Sequence, residues 1–162
     1  MARTKKVFKA DQVIELFVTQ AQDEARTTNS SYTGTPSVYF KGTTINSYGD
    51  HFIMGIILDG DVLLIAQADS SVTTNKHLNN LWNTAKCNGL SVIEVQNVSA
   101  NNEVEHDANI EDMLKQRGEL LGKASRARKP SYIEMYKRDA DHFLVDIVNY
   151  RTLFGLTETI AA

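Results

Sequence analysis

The runs HFIMGIIL (51–58) and DVLLIAQA (61–68) stand on either side of Asp59-Gly60, and this pairing constrains the fold more than any other feature of the chain. An Asp-Gly pair tolerates the positive φ of a tight hairpin, so the two runs read as adjacent antiparallel strands. Both are apolar at successive positions instead of alternating. Such strands have two faces to bury and belong at the centre of a sheet or in one covered on both sides. SVYFKG and TINSY precede them, separated by glycine, and LSVIEVQNV follows later. Together these segments predict an antiparallel β-meander with one following strand.

Helical spacing surrounds the meander. Val13, Ile14, Phe17, Val18 and Ala21 predict an amphipathic helix from Ala10 to about Arg26. TTNSSYTGTP then reads as a loop, because its side chains favour local hydrogen bonds and turns. In SSVTTNKHLNNLWNTAKCNGL, Val72, Leu78, Leu81, Trp82 and Ala85 share one face, Ser or Thr supplies the N-cap, and Gly89 marks the stop. Two further helices are expected from Ile110 to about Ala127 and, after Pro130, from Ser131 to about Phe154. The last carries Ile133, Tyr136, Ala140, Phe143, Leu144, Ile147, Val148 and Phe154 at helical spacing. The expected fold class is α+β: the meander and its following strand packed against an N-terminal helix, a central helix and two C-terminal helices. We expect a single domain over 1–162, with a basic N-terminal arm at 1–9 and a helical C-terminal part at 103–155.

A chain of 162 residues, 42% hydrophobic and 23% charged, can bury roughly two-thirds of its unfolded surface and needs neither metal nor disulfide to fold. Cys87 is its only cysteine, which excludes an intrachain disulfide and suits a reducing compartment. No apolar run reaches the length of a signal segment or a membrane span, so the expectation is a cytoplasmic protein without membrane partners. The net charge of −3 argues against a chain that binds polyanions over its whole surface. Charge is nonetheless unevenly placed. Arg3, Lys5, Lys6 and Lys9 form a basic start, and Glu103, Glu105, Asp107, Glu111 and Asp112 an acidic block. Lys115, Arg117, Lys123, Arg126, Arg128 and Lys129 surround Glu119 alone.

Two constellations carry chemistry. In SYGDHF, Gly49 permits a turn that presents Tyr48, Asp50 and His51 at a strand end; in TTNKH, Thr73, Thr74, Lys76 and His77 occupy the first turns of a helix whose amides favour anions. Convergence of the two would place a pair of imidazoles for proton transfer beside an ammonium that holds phosphate. The alternative is a hydrogen-bonded brace between strand and helix, with His77 at the border of the core. The second constellation is KQRGELLGKASRARKP, where Lys123, Arg126, Arg128 and Lys129 could meet phosphates with Tyr132 and Tyr136 near for stacking, or could simply complement a helix C-terminus. The four histidines, at 51, 77, 106 and 142, show no metal-ligand spacing, and the acids around His106 read as a solvated helix start. No phosphate loop, dinucleotide fingerprint or nucleophile elbow occurs, and no cofactor or metal is expected.

VYFKGTTINSYGDHFIMG followed by SSVTTNKHLNNLWNTA resembles small uncharacterised proteins carried by bacteriophages and other mobile elements, which share SYG-x-HF and S-x-TT-x-KH. The resemblance covers roughly residues 10–90 and rests on Ser47, Tyr48, Gly49, His51, Phe52, Ser71, Thr73, Thr74, Lys76 and His77. HFIMG stands where relatives read HFPIA, so the exit from the turn differs. The resulting expectation is a non-enzymatic phage or mobile-element accessory protein. It would bind nucleic acid, or a host or phage protein that handles it, in the host cytoplasm. The alternatives are a His-dependent enzyme on a phosphate-containing substrate, with Tyr48, His51, Lys76 and His77 as its catalytic candidates, and a structural or homo-oligomer-forming protein.

Overall fold

The computed structural model describes residues 4–31, 34–48, 52–67 and 72–156. Six strands in one mixed sheet and four helices place the described residues in the α+β class. The chain divides into two compact units between Ser99 and Ala100.

The first unit runs α1 (Ala10–Thr19), β1 (Glu24–Arg26), β2 (Val38–Lys41), β3 (Thr44–Ser47), β4 (Phe52–Leu58), β5 (Val62–Ala66), α2 (Val72–Cys87) and β6 (Ser91–Val95). The strands lie in sequence order, antiparallel from β1 to β5, and β6 then pairs parallel to β5. A parallel neighbour needs a crossover, and α2 supplies it. At the β4–β5 turn Asp59 and Gly60 both take positive φ, 53° and 78°, as the sequence leads one to expect. Leu63, Leu64 and Ile65 are all buried, so both faces of β5 are covered.

One row of facing residues organises this unit: Ala25, Phe40, Ile45, Gly55 and Ile65 pair successively across five strands. α1 buries Val13, Ile14, Phe17 and Val18, and the Phe17 ring lies 5.5 Å from that of Phe40. Each of these side chains contributes about 1.5–3 kcal/mol of burial. Gly55 leaves the space that Leu81 of α2 enters; a Cβ there would lie 3.2 Å from Leu81 Cδ2. The register slips between Ile45 and Asn46, making Met54 the extra residue of a β-bulge.

Three local expectations change. α1 ends at Thr19 instead of near Arg26: Gln20 turns left-handed (φ 51°), and Glu24–Arg26 is drawn into the sheet edge by β2. The N-terminal residues are docked from Lys6 to Phe8, where Arg26 N–H donates to Lys6 O and Phe8 N–H to Arg26 O. Lys6 pairs there with Glu24, whose carboxyl this neighbour holds below its ordinary range. On α2, Val72 is 84% exposed at the helix start, and His77 is buried beside Leu78 and Leu81.

The second unit consists of α3 (Glu103–Arg126) and α4 (Pro130–Phe154), packed as a helical hairpin with a three-residue turn. Asn102 caps α3 by accepting from Glu105 N–H, and Glu103 and Glu105 suit that positive helix end. Gly155 closes α4 in the left-handed conformation, φ 62°. Ile133, Tyr136, Ala140, Phe143, Ile147, Tyr150 and Phe154 repeat at alternating spacings of three and four, which is a coiled-coil seam. Leu144 and Val148, also at helical spacing, lie outside that seam and are exposed.

Candidate functional site

Strand register brings the close of β3, the start of β4 and the close of β5 to one end of the sheet. Ser47 pairs with Phe52 across β3 and β4, and β5 runs toward the same end, where Gln67 N–H donates to Val95 O. α2 then starts from that end and returns toward Ser91. Tyr48 is half-buried there in the left-handed region (φ 53°), its N–H donating to Ser37 O. A tyrosine in that conformation stores about 1 kcal/mol of strain. Asp50 and His51, like Gly49 and Ser71, lie outside the described residues.

The helix divides its four candidates. Thr74 and His77 face the core and are buried, while Thr73 and Lys76 share the exposed side. Among the described residues, the Nδ1 atom of His77 and the hydroxyl of Ser47 are buried without hydrogen-bond partners, as is Nε of Arg117 on α3. Burial, then the nearby Lys76 ammonium, pushes the His77 pKa below its ordinary 6.5. At neutral pH the ring is therefore an uncharged base and not an anion holder. The cleft beside α2, about 230 Å³, lies on another flank, between Asn75, Asn79 and Trp82 and the strand residue Glu94.

The turn of the α3–α4 hairpin gathers the other constellation. Lys123, Arg126, Arg128 and Lys129 are all exposed, and among the described residues none has an ion-pair partner. Tyr132 is 49% exposed, with Lys129 Nζ 5.5 Å from its ring centre. Lys123 and Arg126 complement the C-terminal end of α3. Arg128 and Lys129 do the opposite: Lys129 stands at the N-cap of α4, makes no cap there, and the first turn of α4 contains no acid. Helix-end electrostatics disfavour cations at that position.

A third polar cluster, not singled out from sequence, occupies the other end of the hairpin. Asn109 Nδ2 donates to Tyr150 Oη at 2.9 Å, and Oη lies 2.6 Å from His106 Nδ1. Oη accepts from the amide, and the bond to Nδ1 can run in either direction, because the phenol oxygen has a second lone pair as well as its own proton. Burial raises the Tyr150 pKa, which keeps the hydroxyl protonated. Phe154 packs on the imidazole with ring centres 4.4 Å apart. His106, expected at a solvated helix start, is thus buried. The signal for it was the i, i+3 pair His106 and Asn109 on one helix face. His106, Ile110, Leu114, Arg151 and Phe154 line a cleft of about 650 Å³, rimmed by Glu103, Asp107 and Glu111.

Among the described residues, no group of His, Cys, Asp or Glu side chains could hold a metal ion, and no helix is long and apolar enough to cross a membrane. Comparison with protein-family models, curated proteins and solved structures returned no match.

Proposed function

We propose that this protein is a non-enzymatic accessory protein, of the phage or mobile-element kind that its motifs resemble, which binds single-stranded nucleic acid in the cytoplasm through the turn of the α3–α4 hairpin. The observation that carries this reading is the placement of Arg128 and Lys129 against the dipole of α4, free of ion pairs among the described residues. Cations held where they cost stability are explained by an anionic partner. Between residues 123 and 138 the sequence carries six Lys or Arg and only Glu134 as an acid, so the tip is basic although the chain is not. Exposed Tyr132 adds an aromatic face on which a base can stack.

The test is an anisotropy titration of the full chain with single- and double-stranded DNA and RNA at several salt concentrations. Expected is salt-dependent binding that favours single strands. Joint substitution of Arg126, Arg128 and Lys129 by Glu should weaken it at least tenfold, with a log–log salt slope shallower by about 0.7 per lost phosphate contact. Binding that ignores both salt and these substitutions would remove the proposal.

A further inference from the structure

We infer that the cleft at the base of the α3–α4 hairpin binds a linear alkyl diamine or polyamine, its ammonium groups held by Glu103, Asp107 and Glu111 and by the open ring nitrogen of His106. The site lies at the far end of the hairpin from the basic turn and does not rest on the nucleic-acid reading.

The histidine is the first sign of a ligand. His106 is only 7% exposed, and its Nδ1 is fixed by Tyr150 Oη, which Asn109 holds in turn. Phe154 packs on the ring and limits its rotation. Among the described residues Nε2 has no hydrogen-bond partner, yet it is not sealed in the core, so it opens on the cleft that the ring lines. A polar atom oriented this firmly and left without a partner is a recognition point. When Nδ1 donates to Oη, Nε2 is a bare acceptor, the form that receives an ammonium N–H.

The carboxylates set the charge and spacing of that ligand. Glu103, Asp107 and Glu111 are exposed on the rim of the cleft, and among the described residues none has an ion-pair partner. Of the three, only Glu103 stands in the first turn of α3, where the helix dipole favours an acid. Acids four residues apart on one helix repel each other, so the row is stabilised by cations. Arg151, the one Lys or Arg among the described residues of the lining, already has a partner, and Lys115, next in the row, does not line the cleft. Among the described residues, no group of these side chains could close on a single metal ion, so the row suits separated charges. Four residues of helix advance about 6 Å. The nitrogens of butane-1,4-diamine, joined by five staggered single bonds of about 1.5 Å each, also stand about 6 Å apart. Each ammonium therefore fits between two neighbouring carboxylates, with Asp107 shared, while the methylenes lie against Ile110 and Leu114.

Calorimetric titration of the full chain with butane-1,4-diamine at low salt tests this. Expected is a single site that binds butylamine, which carries one ammonium, at least tenfold more weakly. Asp107→Asn should weaken diamine binding at least tenfold while helix content by circular dichroism is unchanged; Glu111→Gln should act in the same direction, so a folding defect in one variant leaves the other to decide. The His106 ring signals should move in nuclear magnetic resonance spectra as diamine is added, which a loose ion cloud over the acids would not cause. Absence of binding at millimolar diamine overturns the proposal. So do equal affinity for butylamine, binding that survives both substitutions, unmoved His106 signals, or displacement by an equal concentration of Mg²⁺, which would mark the row as a general counter-ion surface.

Discussion

Replacing Gly55 by alanine tests the packing that sets α2 on the sheet. The added methyl would lie 2.9 Å from Leu63 Cδ1, 3.1 Å from the Leu64 carbonyl oxygen and 3.2 Å from Leu81 Cδ2. Leu63 and Leu81 are fully buried, and the Leu64 oxygen is part of the sheet backbone, so none of the three has open space to move into. Overpacking of this kind costs about 1–3 kcal/mol. Loss of glycine's freedom in the unfolded chain returns roughly 0.4–1 kcal/mol. About 1–2 kcal/mol of net destabilisation remains, which in a unit of about a hundred residues lowers Tm by roughly 5–15 °C. Trp82, the only tryptophan, lies on α2 in the same unit, so its fluorescence reports this transition directly. Leu63→Val removes the δ carbon that makes the closest approach, and the double variant should be less destabilised than the sum of the two singles by about 1 kcal/mol. An unchanged or raised Tm for Gly55→Ala, or strict additivity in the cycle, would refute the close-approach argument.

Tyr150→Phe removes the buried oxygen that His106 Nδ1 and Asn109 Nδ2 share; the hairpin should lose about 1–3 kcal/mol in a denaturant melt followed by helix signal, and an unshifted midpoint would contradict the network. For His77 the folded pKa lies below the unfolded 6.5, so the unfolded chain binds more protons between those values. Its contribution is complete above pH 6.5 and is lost as pH falls through 6.5 toward the folded value. Wild-type stability should therefore drop between about pH 7.5 and about pH 5 by more than that of His77→Gln, and parallel pH profiles would rule out this role.

Local chemistry made most of the elements legible. Asp59-Gly60 announced its hairpin because a left-handed turn is a property of two residues, and Pro130 announced the start of α4 because its ring presets one dihedral. The end of α1 was hidden: Ala21 continues the helical spacing, yet residues 24–26 pair with a strand more than ten positions away. His106 sits in acidic surroundings in the sequence and in a buried network in the fold, since its partner Tyr150 comes 44 residues later. The candidate site divided in the same way. That the close of β3, the start of β4, the close of β5 and the start of α2 lie toward one end of the sheet follows from alternation of direction alone, but helical rotation put Thr74 and His77 inward and Thr73 and Lys76 outward. By itself the sequence determined what depends on neighbours along the chain: turn positions, helix starts, apolar periodicity and the polarity of charge from 103 to 138. Only the tertiary structure decided which polar groups are buried, which cations stand unpaired and which apolar stripe is left open, because each depends on contacts between residues whose separation along the chain carries no local signal.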